Sequence, residues 1–280
     1  MTSAPEAEAP GRAAVVVACG GVGVRFKGNF RRGDDGNDPG YSGAKQFLEV
    51  AGRPVLAHTL DVLERHPRVG AVSLVLPEQL IGKGEALVGG AWPEPGAACF
   101  RKVRFIVPGG TSRQESVARG LAALADSGWD GPVLIHDGVR PCTPAIVFDR
   151  VIDGVYARGN AVAAIPLRDT VKRAGADGTV RETPDRGDLW QVQTPQGFWI
   201  HELTEAYDEG RRRGLLAPDD AALLEAMGRE VYLVEGHPMN IKLTYPEDLV
   251  VLEALLHGWR KGDNQSPSSG EMTRRGSYIQ

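Results

Sequence analysis

The residues best suited to chemistry begin between Val15 and Lys45. The apolar run Val15-Val16-Val17 opens into Cys19-Gly20-Gly21-Val22-Gly23-Val24-Arg25, and Ala44-Lys45-Gln46-Phe47-Leu48 follows a polar stretch. A strand that runs into glycines brings backbone N–H groups close to a phosphate, because a Cβ there would block the approach or forbid the dihedrals. Arg25 and Lys45 add two cations where that anion would sit. Two later segments share the form of a strand entering a turn: Gly109-Gly110-Thr111-Ser112 and Asp137-Gly138-Val139-Arg140. Open α/β sheets bind ligands at the carboxyl ends of their strands, which would gather these turns, a helix N-terminus and one carboxylate on one edge. Such a set suits a polyphosphate with its divalent cation.

Each piece alone also has a plainer reading. Phe26 stands where the dinucleotide fingerprint needs its third glycine, and no Gly-x-x-x-x-Gly-Lys-Ser/Thr occurs, so a nicotinamide fold and a P-loop are both disfavoured. A lysine before an apolar run, as Lys45 is, commonly marks a solvated strand edge. Asp137 could be a turn or N-cap residue, and Arg140 before Pro141 a surface arginine. Ser116 could face a neighbouring turn, Lys242 could alternate outward on a strand, and Thr170 and Arg186 could be cross-strand partners. His58, His66, His201, His237 and His257 have no metal-ligand spacing.

The elements that must position these residues follow a β-then-α rhythm. Apolar strands are expected at 15–17, 72–76, 103–107, 132–136 and 161–165, with helices over 54–65, from Ser112 onward, and over 144–157. Ser112 and Glu115 have capping-box spacing. Units of this length argue a mostly parallel, Rossmann-like sheet covered by helices on both faces. Residues 166–188 break the rhythm: Val171 and Val180 flank a turn at Gly175 and Gly178, too polar for core, which reads as a projecting hairpin arm. The chain returns over 189–193, with helices at 201–213 and 219–227, a strand at 231–234, an extended 240–242 and a last helix at 246–256. Residues 1–12 read as a disordered leader, 27–44 as a long polar loop and 259–280 as a disordered tail, leaving 13–258 as the domain.

Composition narrows the partners. The 280 residues carry a formal charge of −4, which offers no general affinity for nucleic acid, so a cation cluster here reads as a local anion site. Three scattered cysteines form neither a disulfide framework nor a zinc pattern, as expected of a cytoplasmic protein. No apolar run approaches the roughly 20 residues a membrane span needs, and the start has no signal-peptide pattern.

Taken in order, Gly21-Val22-Gly23-Val24-Arg25, Lys45-Gln46-Phe47-Leu48, Gly110-Thr111-Ser112-Arg113-Gln114-Glu115-Ser116, His136-Asp137-Gly138-Val139-Arg140-Pro141, Arg168-Asp169-Thr170-Val171-Lys172-Arg173, Thr194-Pro195-Gln196-Gly197-Phe198 and Asn240-Ile241-Lys242 carry a resemblance. Over about residues 13–257 the chain resembles the 2-C-methyl-D-erythritol 4-phosphate cytidylyltransferase family of the non-mevalonate isoprenoid pathway. The resemblance implies that Arg25, Lys45 and Lys242 contact the CTP triphosphate and the reacting phosphorus. It implies that Asp137 holds Mg²⁺. It places Cys19, Gly20, Gly21, Gly23, Gly110, Ser116, Asp137 and Gly138 around CTP. Arg140 would act near the acceptor phosphate, which Thr170 and Arg186 of the arm would bind across a homodimer. Four departures stand near the entrance: Ala18-Cys19-Gly20 in place of Pro-Ala-Ala, a longer 27–44 loop, Ala44 in place of a proline, and Met239 where a polar residue is common. They keep open a cytidylyltransferase for another polyol phosphate, such as D-ribitol 5-phosphate. A non-catalytic nucleotide-binding protein on the same fold is the reading from another class.

Overall fold

The computed structural model describes residues 11–19, 44–92, 96 and 99–261. Gly20, Gly21, Gly23, Arg25, all of the 27–44 loop but Ala44, most of the leader and the end of the tail lie outside the described residues.

Strand β1 (Ala13–Ala18) lies in the interior of a seven-stranded sheet. The strands on either side of it are β2 (Val69–Leu76) and β4 (Pro132–Asp137), both parallel to it. Beyond β2 runs β3 (Val103–Pro108), and beyond β4 come β8 (Trp190–Trp199), β5 (Asn160–Pro166) and β9 (Leu233–Glu235). The chain winds outward from β1 through β2 to β3, then returns to lay β4 on the other side of β1. The switch point of the sheet is therefore the gap between the carboxyl ends of β1 and β4, where Ala18 pairs with Asp137.

Side-chain alternation assigns the two faces. Val15 and Val17 of β1 point toward helices α1 (Val55–Arg65), α2 (Ile81–Val88) and α4 (Ala145–Arg158), against Leu56, Leu60, Leu87 and Phe148. Ala14 and Val16 point the other way, toward α3 (Arg113–Asp126), α5 (Ile200–Arg212) and α6 (Ala221–Glu225), against Val117, Leu121 and Leu203. A strand buried on both faces has to read as a continuous apolar run, as this one does. A third, smaller cluster joins Val50, Val55, Val139, Cys142 and Leu243 to α7 (Asp248–Lys261) through Leu252 and Leu256. Each fully buried leucine contributes roughly 1.5–3 kcal/mol of transfer free energy.

Several expected boundaries move. The return expected over 189–193 is a ten-residue strand that runs on through Thr194-Pro195 to Trp199, antiparallel to both β4 and β5 in the interior of the sheet. Its ladder with β5 breaks between Val192 and Gln196. Pro195 has no N–H to donate, and this irregularity is where a strand tolerates it. The capping box is half formed: Ser112 accepts from Glu115 N, but the Glu115 carboxylate bonds the N–H and hydroxyl of Thr111 instead of reaching Ser112. Pro54 precedes its helix as N-cap, and the last helix continues to Lys261. The arm forms a short ladder of β6 (Arg173–Ala174) with β7 (Val180–Glu182), exposed throughout. Thr170 and Arg186 lie outside that ladder, and Arg186 Nη1 donates to the Arg168 carbonyl at 2.8 Å. No helix among the described residues is long and apolar enough to cross a membrane.

The antiparallel strand is packed tightly under α4. A Cβ on Gly197 would lie 2.6 Å from Val151 Cγ1 and 2.7 Å from both Leu134 Cδ2 and Val155 Cγ2. Gly197→Ala should therefore cost about 1–3 kcal/mol through overpacking, read as a lower urea midpoint. An unchanged midpoint would mean that α4 does not press on β8 at this point.

Candidate active site

The chemistry gathers at the switch point. Asp137 ends β4 with its side chain only 7% exposed, and cations from three segments of the chain surround it. Lys242 Nζ lies 2.9 Å from Oδ2 and Arg140 Nε 3.1 Å from the same oxygen, while Arg113 Nε faces Oδ1 at 3.8 Å. Burial alone would raise the carboxyl pKa. Lys242, Arg140 and Arg113 outweigh it and hold the group far below the usual carboxylate range.

Each cation has its own support. Arg140 follows β4 after a tight turn and is buried, with Nη1 donating to the Asn240 carbonyl at 2.7 Å, so it is no surface arginine. Arg113 is the first residue of α3 and forks onto Asp220 with bonds of 3.1 and 2.7 Å. Asp220 is fully buried and also accepts from the Tyr207 hydroxyl. Burial would lower the Arg113 pKa, but the Asp220 carboxylate overrides it and holds the guanidinium firmly charged. Lys242 is on no strand: residues 240–244 have no regular structure, and buried Leu243 anchors them through its N–H to the Val139 carbonyl at 2.9 Å. Lys45 stands at the start of a 3-10 turn over Lys45–Phe47, and its Nζ donates to the Leu243 carbonyl at 2.8 Å. Lys45, Lys242 and Asp137 therefore share one site although 197 residues separate the two lysines (242 − 45).

The floor of the site is the pairing of β1 with β4. Gly138 N donates to the Ala18 carbonyl at 3.3 Å, and a Cβ on Gly138 would fall 2.1 Å from Cys19 Sγ, so the close approach requires glycine. Burial pushes the Cys19 thiol up to about 12, and it stays protonated. Ser116 Oγ accepts from Gly110 N at 3.0 Å and donates to the Ser112 carbonyl at 2.8 Å, which fixes the turn ahead of α3. Thr170 and Arg186 are exposed on the arm, away from this network.

Beneath Asp137 lies a polar layer built from Thr194 and His136, residues that stand in the motifs with no role assigned. Asp137 N donates to Thr194 Oγ1 at 3.1 Å, and the same hydroxyl meets His136 Nδ1 at 3.1 Å. His136 is fully buried against Phe148, and burial pushes its pKa down to about 3. It is neutral at working pH and enclosed, and so is not placed to serve as a general base.

Among the described residues no three His, Cys, Asp or Glu side chains group as a metal site. One ionised carboxylate nonetheless fits Mg²⁺, which protein sites commonly hold by one or two carboxylates plus substrate phosphates. Asp137 Oδ1, with Arg113 beyond hydrogen-bond range, keeps acceptor capacity for it.

A family model described as IspD, 2-C-methyl-D-erythritol 4-phosphate cytidylyltransferase, matches residues 14–258. The protein of that name from Geotalea uraniireducens is 42% identical over 212 residues, covering 76% of this chain and 88% of its own. That from Pelotomaculum thermopropionicum is 39% identical over 246 residues, covering 88% and 94%. The crystal structure of 2-C-methyl-D-erythritol 4-phosphate cytidylyltransferase from Thermus thermophilus matches with a TM-score of 0.66 at 32% identity, over 88% of this chain and 99% of that one.

His136 makes stability pH-dependent with a definite sign. Its folded pKa of about 3 lies below the ordinary 6.5, so the unfolded chain binds a proton that the folded one refuses. Its contribution is complete above pH 6.5 and is lost as pH falls from 6.5 toward about 3. The slope there is about 1.4 kcal/mol per pH unit from this histidine. His136→Gln should flatten this part of the stability–pH curve measured by urea titration. A variant curve parallel to the wild type would show that His136 is not buried neutral.

Proposed function

This chain belongs to the 2-C-methyl-D-erythritol 4-phosphate cytidylyltransferase family, and from that premise we propose that it joins CTP to 2-C-methyl-D-erythritol 4-phosphate, giving the CDP-linked polyol and pyrophosphate. The observation that carries the reading is the meeting of Lys45, Lys242, Arg140 and Asp137 at the sheet's switch point.

The acceptor phosphate attacks the α-phosphorus of CTP. A new P–O bond forms, the bond to the bridging oxygen of the β-phosphate breaks, and pyrophosphate leaves. A phosphate monoester has its second pKa near ~6, so the nucleophile is mostly ionised at pH 7 and needs no base. That agrees with a site whose one enclosed histidine is neutral. The barrier is the approach of two anions and the charge that builds at the α-phosphorus, and preorganised cations lower it. Lys242 and Lys45 supply that charge, and Arg25 would join them. Mg²⁺, held by Asp137 with the nucleotide phosphates, would supply further neutralisation. The Gly110–Ser116 turn and the close β1–β4 floor at Cys19 and Gly138 would seat the nucleoside.

Arg140 turns inward to Asp137, so acceptor recognition falls chiefly to Thr170 and Arg186. Both are exposed on an arm that also exposes Val171 and Val180, and the adjoining start of β8 exposes Trp190 and Val192. A second copy of the chain would cover those apolar side chains and receive Thr170 and Arg186 at its own site, which makes the working form a homodimer. The cysteines, free in the described chain, agree with a cytoplasmic setting.

Lys45→Ala and Lys242→Ala should each lower kcat by ~100-fold or more with the fold retained, the scale of losing one preorganised transition-state contact. Near-normal turnover in a folded variant would remove that lysine from the chemistry. Arg186→Ala should raise KM for the acceptor with little change in KM for CTP, and an unchanged acceptor KM would count against the arm. A panel of polyol phosphates with CTP and Mg²⁺, followed by pyrophosphate release, should favour methylerythritol phosphate. Preference for ribitol 5-phosphate would reassign the acceptor.

A further inference from the structure

We propose that Asn240 is a positioning residue for nucleotidyl transfer, acting through Lys242: its buried amide pins the segment that carries the lysine, so that the ammonium stands at Asp137. The inference rests on the cytidylyltransferase reading above.

Asn240 is 1% exposed, and every polar group it has is engaged. Nδ2 donates to Gln193 Oε1 at 3.1 Å and to the Thr194 carbonyl at 2.8 Å. Oδ1 accepts from Thr143 Oγ1 at 2.7 Å. The backbone N–H goes to the His237 carbonyl at 3.0 Å, and the backbone carbonyl receives Arg140 Nη1 at 2.7 Å. A buried amide satisfied on all sides has one orientation, because any other strands donors or acceptors.

The need for such a pin lies in the surrounding backbone. Residues 240–244 belong to no helix or strand, so no ladder holds Lys242 in place. On one side Leu243 anchors the segment to Val139. On the other, the Asn240 side chain ties it to Gln193 and Thr194. Those two residues lie in the irregular stretch of β8, where the ladder with β5 breaks and leaves the Thr194 carbonyl to accept from Asn240. Thr194 is the common reference. Its hydroxyl accepts from Asp137 N, and its carbonyl accepts from Asn240. The carboxylate and the lysine segment are thus measured from a single residue, which sets the 2.9 Å between Lys242 Nζ and Asp137 Oδ2. A reacting group displaced by about 1 Å can lose on the order of 100-fold in rate.

A double-mutant cycle tests this. Asn240→Ala should lower kcat by ~30-fold or more with KM for CTP within ~3-fold, yet add less than ~3-fold when Lys242 is already alanine. Equal losses in both backgrounds would mean that Asn240 only supports the fold, and would overturn the proposal. Thr143→Val removes one bond to the amide and should show the same dependence on Lys242 with a smaller loss, so it carries the test if Asn240→Ala does not fold. A second readout needs no turnover: acylation of Lys242 by an amine-reactive reagent, followed by mass spectrometry, should be faster in either variant than in wild type. Unchanged labelling would contradict the pin even in an enzyme of different specificity. A wild type that releases no pyrophosphate would instead sink the activity reading.

Discussion

A carboxylate buried among cations governs this molecule. Removing one partner of such a pair typically costs about 3–5 kcal/mol, whereas the intact pair adds little net stability over an apolar replacement. The Asp137 cluster is therefore better understood as an arrangement of charge than as a brace. Among the described residues, the cations Lys242, Arg140 and Arg113 outnumber the carboxylates they face, Asp137 and Asp220. Lys45 stands beside them, its ammonium donating to the Leu243 carbonyl. An anionic ligand completes that balance, and the cations are already oriented by their present partners.

The sheet makes the arrangement possible. Parallel pairing of β1 with β4 ends both strands at one level, so Ala18 faces Asp137 and the turns beyond them open side by side. The interior antiparallel strand β8 contributes through a fault in its pairing. A regular ladder would engage the Thr194 carbonyl, whereas the break leaves it to accept from Asn240, while the Thr194 hydroxyl and the Gln193 amide reach Asp137 N and the His237 carbonyl. Local irregularity in an interior strand is thus what links β4 to the loop bearing Lys242.

Much of this was legible in the residues. The uninterrupted run of Val15 to Val17 announced a strand buried on both faces, and Ser112 three residues before Glu115 announced a helix start, even though the Glu115 side chain bonds Thr111. The strand, glycine and charge grouping around Asp137 pointed to phosphate chemistry. Its partners were harder to see. Arg113 and Asp220 are 107 residues apart, and nothing local announces a fork between them. Asn240 stood in the motif with Lys242 but without a role, and Thr143 and Gln193 lay in no motif, because what they do comes from long-range burial that no periodicity encodes. Pro195 masked the continuation of β8, since proline argues against a central strand except at an irregularity. Arg140 could pass for surface charge because the carboxylate it turns toward lies only three residues before it, a spacing that many exposed pairs share.

The most direct test is a crystal structure with CTP and Mg²⁺ bound. The triphosphate should lie across Lys45 and Lys242 at the carboxyl ends of β1 and β4, with Mg²⁺ between Asp137 and the phosphates. Nucleotide bound at another edge of the sheet, with the Asp137–Lys242 pair untouched, would contradict the account.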